Sequence, residues 1–192
     1  MAYSSDERTE LQKMIAGDLY DPLDPELVEK RTLARQIMED LARIPYGNLS
    51  EKRAIYREFF GEAGEDLFIE PPFYCDYGFN IFWGRKSYAN FNCVFLDCAP
   101  IHIGDRVFMA PSVHRYTATH PIDHNERNSG VEMAHPITIG DDVWIGGGTI
   151  VNPGITIGSR SVIGSGSVVT HDIPDDVVAV GNPVRVIRRI RD

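Results

Sequence analysis

The chain contains no apolar run close to the ~18 residues that a bilayer-spanning helix requires, so no membrane association is expected. Cysteine is scarce. Cys75, Cys93 and Cys98 are the only three in 192 residues, too few and too unevenly placed for a disulfide framework, and a cytoplasmic, reducing location fits best. A basic excess is also missing. Nineteen Lys and Arg stand against 28 Asp and Glu, a net charge of −9, which argues against general nucleic-acid binding. The opening stretch MAYSSDERTE is polar and acidic, unlike a secretory or transit leader. What is there is globular in composition, 43% apolar and 24% charged. That excludes a disordered or fibrous protein and suits one compact domain with at most a small appendage.

Charge is unevenly spread. Of the five basic residues after position 136, four are Arg185, Arg188, Arg189 and Arg191. The segment 181–192 is therefore a cationic patch on an acidic protein. It reads either as a solvated tail or as a docking point for an anionic group such as a nucleotide phosphate.

Residues 5–60 read as helices, and residues 1–65 as a helical N-terminal segment. Leu11, Met14, Ile15 and Leu19 recur at helical spacing. Asp24-Pro25 opens a second helix with an apolar stripe of Leu27, Leu33, Ile37, Met38 and Leu41. Pro45-Tyr46-Gly47-Asn48 breaks it, and Ser50 is the expected cap of a third helix carrying Ile55, Phe59 and Phe60.

Residues 66–192 behave differently. Ile139, Ile145, Val151, Ile157, Ile163 and Val169 follow one another at intervals of six without a slip. Four of these six have Gly directly after them, and small or β-branched residues recur four places on. A period of six is neither 3.6 nor 2. It fits a short strand, a corner and another short strand, with Gly, Asn or Asp taking the corner's backbone angles. Three such faces make a coil of about 18 residues, and stacked coils bury a continuous apolar column. Looser units begin at Trp83, Ala89, Phe95, Ile103 and Met109, with a slip of two near Pro100-Ile101-His102. The repeat halts after His120 and resumes at Ile137, so the polar stretch 121–136 is a loop ejected from the coil, of a length that is usually functional or disordered. Ten of the nineteen aromatics fall within 68–95, chiefly as packing between the helices and the first coils.

Taken together, MIAGDLY (14–20), EPPFYCDYGFNI (70–81), YANFN (88–92), APSVHRYTATHPID (110–123), PITIGDDVWIGGG (136–148), NPGITIG (152–158) and VVAVGNPVRVIR (177–188) resemble the maltose/galactoside O-acetyltransferase group of the hexapeptide-repeat acyltransferases. The resemblance covers nearly the whole chain. It implies a mainly β fold, a left-handed parallel β-helix preceded by short helices. It also implies a homotrimer with active sites between neighbouring prisms, and acetyl transfer from acetyl-CoA to a sugar hydroxyl, with a maltose- or glucose-like acceptor expected. No metal is expected.

Such a transfer needs a base for the hydroxyl proton, donors for the developing oxyanion and a groove for the acyl carrier. Histidine, with a free pKa of about 6.5, is the natural base. Among six histidines, His120 stands at the root of the ejected loop and matches the family's catalytic His in TATHP. Glu132 could orient it or be an exposed loop carboxylate. By resemblance, Asn90 contacts sugar and reacting centre, its amide able to serve an oxyanion or a hydroxyl. The same likeness puts Tyr88 and Asp76 at the acceptor, with Asp97 beside them. At the position next to Asp97, galactoside enzymes carry an acidic ligand; here it is Cys98. The resemblance also implies an N-terminal carboxylate, for which Asp21 and Asp24 are the two candidates. The resemblance makes the Gly147 N–H an oxyanion donor, sets the pantetheine arm against Ser165 and Thr170, and brings the coenzyme phosphates to Arg185 and Arg188. His171 stands where relatives usually have Lys. The alternatives are another acceptor (a galactoside, an antibiotic or a lipo-oligosaccharide), a non-catalytic β-helix scaffold, and a zinc site of His114, His120 and His124; the spacing of those histidines and the intact YANFN and TATHP segments speak against the last.

Overall fold

The computed structural model describes residues 7–191, so the first six residues of the expected leader lie outside the described residues. Three helices come first. α1 (Glu10–Ala16) is started by Thr9, whose side chain forms a reciprocal capping box with Gln12, and is ended by Gly17 at φ +82°. α2 (Pro25–Arg43) begins as the Asp24-Pro25 pair dictates, with the Asp24 carboxylate accepting from the Glu26 N–H. α3 (Leu49–Phe59) starts two residues earlier than expected: Asn48, not Ser50, is its N-cap, and the Ser50 hydroxyl donates to the Asn48 side chain at 3.2 Å.

The buried stripe of α2 is Leu27, Ala34, Met38 and Leu41. Leu33, expected within it, is 55% exposed. Successive helical residues are rotated by about 100°, so burying Ala34 turns Leu33 toward solvent.

From Glu62 onward the chain winds into three parallel sheets. The first face stacks Glu62–Ala63, Ile81–Trp83, Ile101–Ile103, Ile137–Ile139 and Thr156–Ile157. The second stacks Phe68–Ile69, Tyr88–Ala89, Phe108–Met109, Trp144–Ile145, Val162–Ile163 and Val177–Val180, with Arg185–Arg189 added antiparallel at its edge. The third stacks Phe73–Cys75, Cys93–Leu96, His114–Tyr116, Ile150–Val151 and Val168–Val169. The solenoid therefore opens at Glu62, a few residues before the expected boundary at 66.

The six-residue markers point inward: Ile139 is 2% exposed and Ile145, Val151, Ile157, Ile163 and Val169 are wholly buried. Hydroxyls four places after a marker are buried too. Thr149 and Ser167 donate to the carbonyls of Gly146 and Gly164 at 2.7 and 2.6 Å, which satisfies polar groups at the corner. The corners are not confined to Gly, Asn and Asp. Lys86, Arg106, Ser112 and Arg160 also take positive φ. At one edge, ion pairs link successive coils, Arg106 to Asp142 at 2.5 Å and Arg160 to Asp176 at 2.7 Å.

The slip of two has a structural meaning. Later coils repeat in steps of 18, Trp144 pairing with Val162. Early coils repeat in steps of 20, Phe82 pairing with His102 and Phe95 with Arg115. The surplus residues sit where the third face turns into the first, and the ejected loop leaves from that same edge one coil later.

The helices close the first coils. Ala34, Met38, Leu41, Tyr56, Phe59 and Phe60 join the apolar column of the solenoid, and Phe60 meets Phe73 and Trp83 edge-on at 6.0 and 6.1 Å. One inward position breaks the rule. Arg115, six after Met109, is fully buried, with its guanidinium 4.3 Å from the centre of the Phe95 ring.

Candidate active site

The widened edge carries a cleft of about 580 Å³. Arg31 and Arg35 enter it from α2, Asp76 and Cys98 from the enlarged corners, and His120 and Glu132 from the root of the loop. The 20-residue coils set Asp76, Leu96 and Tyr116 above one another, and Cys98 above Ala118 in the same way.

Asp97 builds this edge. It is fully buried, and its carboxylate accepts from the N–H groups of Asp76, Tyr77 and Gly78 at 2.8, 2.8 and 2.7 Å. Its own carbonyl accepts from Asn80. Burial pushes its carboxyl up to about 7, against the pull of these backbone donors. The expectation that Asp97 contacts an acceptor is corrected: its oxygens are spent on turning the chain, and Cys98 lines the cleft instead.

Asp76 reaches the cleft. It accepts from the Arg35 guanidinium at 3.1 Å, and the Cys98 thiol lies 3.7 Å from its second oxygen. Burial, with Asp76 adding to it, pushes the Cys98 thiol well above its ordinary range, so Cys98 is a neutral wall rather than a nucleophile.

The loop is ordered at both ends. Ala118–Thr119 pairs antiparallel with Met133–Ala134, Thr119 opposite Met133. That register places His120 beside Glu132. His120 Nε2 is 3.9 Å from Glu132 Oε1, and Glu132 Oε2 accepts from the Tyr20 hydroxyl at 2.8 Å. Tyr20 and Glu132 also exchange two backbone hydrogen bonds of 3.0 Å. Between the ends, α4 (His124–Asn128) is capped by Asp123, and Arg127 donates back to the Pro121 and Ile122 carbonyls. Tyr20 was not singled out from sequence. Only its place in MIAGDLY marked it.

The remaining expected residues lie elsewhere on the prism. Tyr88 is on the second face, stacked on Phe68 at 6.0 Å. Asn90, Gly147 and Ser165 lie along the edge between the second and third faces. The Asn90 side-chain oxygen Oδ1 accepts from the Phe91 N–H at 2.8 Å. Gly146 and Gly148 donate to Ile163 and Pro111, while the Gly147 N–H takes no part in this ladder. Thr170 and His171 are exposed and adjacent, 3.4 Å apart. Arg185 and Arg188 lie exposed on the outermost strand of the second face. Asp21 and Asp24 hold the α1–α2 link, each through a backbone N–H, of Leu23 and Glu26 respectively. One chain thus brings together His120, Glu132, Asp76 and Cys98, and holds Asn90, Gly147, Arg185 and Arg188 apart from them. The zinc trio does not form: His114 bonds Tyr116 at 2.6 Å, and no group of three metal-ligating side chains converges among the described residues.

A helical cap on a hexapeptide coil, with a histidine cleft at the loop root, defines the class of hexapeptide-repeat transferases. Residues 13–64 match the maltose acetyltransferase hexapeptide capping motif, and residues 136–171 match the bacterial transferase hexapeptide of six repeats. The chain is similar to a maltose O-acetyltransferase from Clostridium difficile 630, at 47% identity over 96% of this chain and 99% of that one, with a TM-score of 0.94. It is 42% identical to the galactoside O-acetyltransferase of Escherichia coli, over 94% of this chain and 89% of that protein. A Vibrio cholerae hexapeptide-repeat acetyltransferase complexed with acetyl coenzyme A is 39% identical over 96% of this chain and 100% of that one, with a TM-score of 0.88. The chain belongs to the hexapeptide-repeat acetyltransferases, in the group of the maltose and galactoside O-acetyltransferases, and its fold is their left-handed parallel β-helix.

Proposed function

We propose that this protein transfers an acetyl group from acetyl-CoA to a sugar hydroxyl, with His120 as general base. The observation that carries the reading is the imidazole at the mouth of a cleft whose walls offer two carboxylates, Asp76 and Glu132, to hydroxyl groups. Neutral His120 takes the proton of the acceptor hydroxyl as its oxygen attacks the thioester carbonyl carbon. The carbonyl π electrons move onto oxygen, where backbone and amide donors hold the charge. The intermediate then collapses, the C–S bond breaks, and the imidazolium returns its proton to the departing thiolate, leaving an acetyl ester and free coenzyme.

Gly147 and Asn90 are the donors this chain offers, and they stand on a different edge from His120. A complete site therefore forms where one prism's base edge faces a neighbour's glycine edge, which is the homotrimer of the resemblance. The side chains of Phe108 and Trp144, paired in register and 52% and 56% exposed, supply apolar area for such a contact. Acetyl-CoA fits the same edge: Gly147 places no side chain there, and Arg185 and Arg188 offer cations to its phosphates.

The test is an acetyl-CoA transfer screen over glucose, maltose, galactosides and aminosugars, run with wild type and His120→Ala. The variant should keep its fold and lose on the order of 10²- to 10⁴-fold in turnover, the usual worth of a positioned base. A variant retaining a tenth or more of wild-type kcat refutes the assignment.

A further inference from the structure

Tyr20 is 1% exposed, in a segment that precedes the solenoid by some forty residues. Its hydroxyl donates to Glu132 Oε2 at 2.8 Å. Its backbone N–H and carbonyl bond the carbonyl and N–H of the same Glu132, both at 3.0 Å. Three bonds thus join one leader residue to one loop residue across 112 positions of sequence. A backbone pair fixes where Glu132 sits; only the hydroxyl fixes which way its carboxylate turns. With Oε2 engaged, Oε1 is the oxygen left 3.9 Å from His120 Nε2. That gap is too long for a direct hydrogen bond, and it leaves Nε2 and Oε1 side by side facing the cleft.

From this geometry we infer that Tyr20 is a positioning residue: its hydroxyl holds the Glu132 carboxylate clear of the His120 imidazole, so that the acceptor hydroxyl enters between base and carboxylate. The inference rests on the proposed role of His120 and adds what keeps its reacting nitrogen accessible. Without the hydroxyl, Glu132 is free to close on the imidazole and occupy Nε2 itself. The other charged and titratable groups around the cleft are Arg31, Arg35, Asp76, Cys98 and Tyr116. Both arginines are engaged away from Glu132. Arg31 donates to the Tyr77 hydroxyl at 2.7 Å and to the Pro22 carbonyl, and Arg35 donates to Asp76.

The experiment compares wild type, Tyr20→Phe, Glu132→Gln and the double variant, with His120→Ala in parallel. Phe keeps the ring and the backbone bridge and deletes only the oxygen. Tyr20→Phe should lower kcat/KM for the sugar acceptor about tenfold, within the range for a hydrogen bond to a charged group, and leave KM for acetyl-CoA within about twofold. In the Glu132→Gln background the same change should have an effect of less than about twofold, because there is no carboxylate to misplace. Urea midpoints of the four proteins supply a cycle independent of turnover, and they should be non-additive. Additive midpoints would mean that the Tyr20–Glu132 bond is absent. Non-additive midpoints with wild-type acceptor kinetics in Tyr20→Phe would reduce the bond to a structural one; either result overturns the inference. If His120→Ala stays active while the Tyr20–Glu132 coupling persists in kinetics and midpoints, the base assignment fails and the coupling does not.

Discussion

Replacing Arg115 by Met should stabilise this protein, although Arg115 is fully buried and well packed. The side chain occupies an inward position of the coil, between Phe95 below and Val151 above. Its Nη2 lies 2.7 Å from the Met109 sulfur, a weak acceptor, while Nε and Nη1 have no hydrogen-bond partner. Burial pushes the guanidinium down to about 9, the direction expected when a charge is stranded without a counter-ion. Two unmet donors cost about 1–3 kcal/mol each. The stacking on Phe95 returns about 2 kcal/mol when desolvated. Met keeps the stem and removes three heavy atoms, and the void costs about 1 kcal/mol at roughly 24 cal/mol per Å³. At the middle of these figures the net gain is about 1 kcal/mol, a rise in Tm of roughly 2–4 °C for a chain of this length. Urea or thermal unfolding at fixed protein concentration measures it. A loss of more than about 1 kcal/mol would contradict the reasoning, since it would mean that the guanidinium is satisfied where it lies.

Two further changes probe the coil and the cationic strand. A Cβ at Gly146 would lie 2.5 Å from the Ser165 backbone nitrogen, so Gly146→Ala should destabilise by about 2 kcal/mol or more, as overpacking does, whereas a Cβ at Gly147 meets nothing closer than 3.2 Å; equal unfolding midpoints for the two alanine variants would be the contrary result. Arg188→Ala should raise KM for acetyl-CoA several-fold, the effect of losing one phosphate contact, and change the salt dependence of that KM; steady-state kinetics at two ionic strengths that match wild type would remove Arg188 from the coenzyme site.

Much of the fold was written in the spacing. Six aliphatic markers at intervals of six became the buried column without exception, because a three-sided coil repeats the same inward position on every face. The capping pairs were equally local: Asp24-Pro25 started α2 where read. Errors came where a neighbour decided. Ser50 yielded to Asn48 as the cap of α3, and Leu33 gave up its buried place to Ala34, since the surface of the first coils, and not the helix alone, chose the face. Asp97 illustrates the limit at the site. Its proximity in sequence to Cys98 suggested an acceptor contact, but three N–H groups from the coil below had prior claim on its carboxylate. Arg115 is not legible as an inward position because its unit, from Met109, is one of the loosened repeats.

The order of residues by itself determined the solenoid, its helical leader, the ejected loop and the histidine at the loop root, since each follows from period, capping or interruption, all properties of neighbours in the chain. Only the tertiary structure decided that Tyr20 and Glu132 meet, that the two surplus residues per early coil widen a single edge into a cleft, and that His120 and Gly147 stand on different edges. Those are distances between residues 20 to more than 100 positions apart, and they are set by how the coils stack and by what the leader packs against.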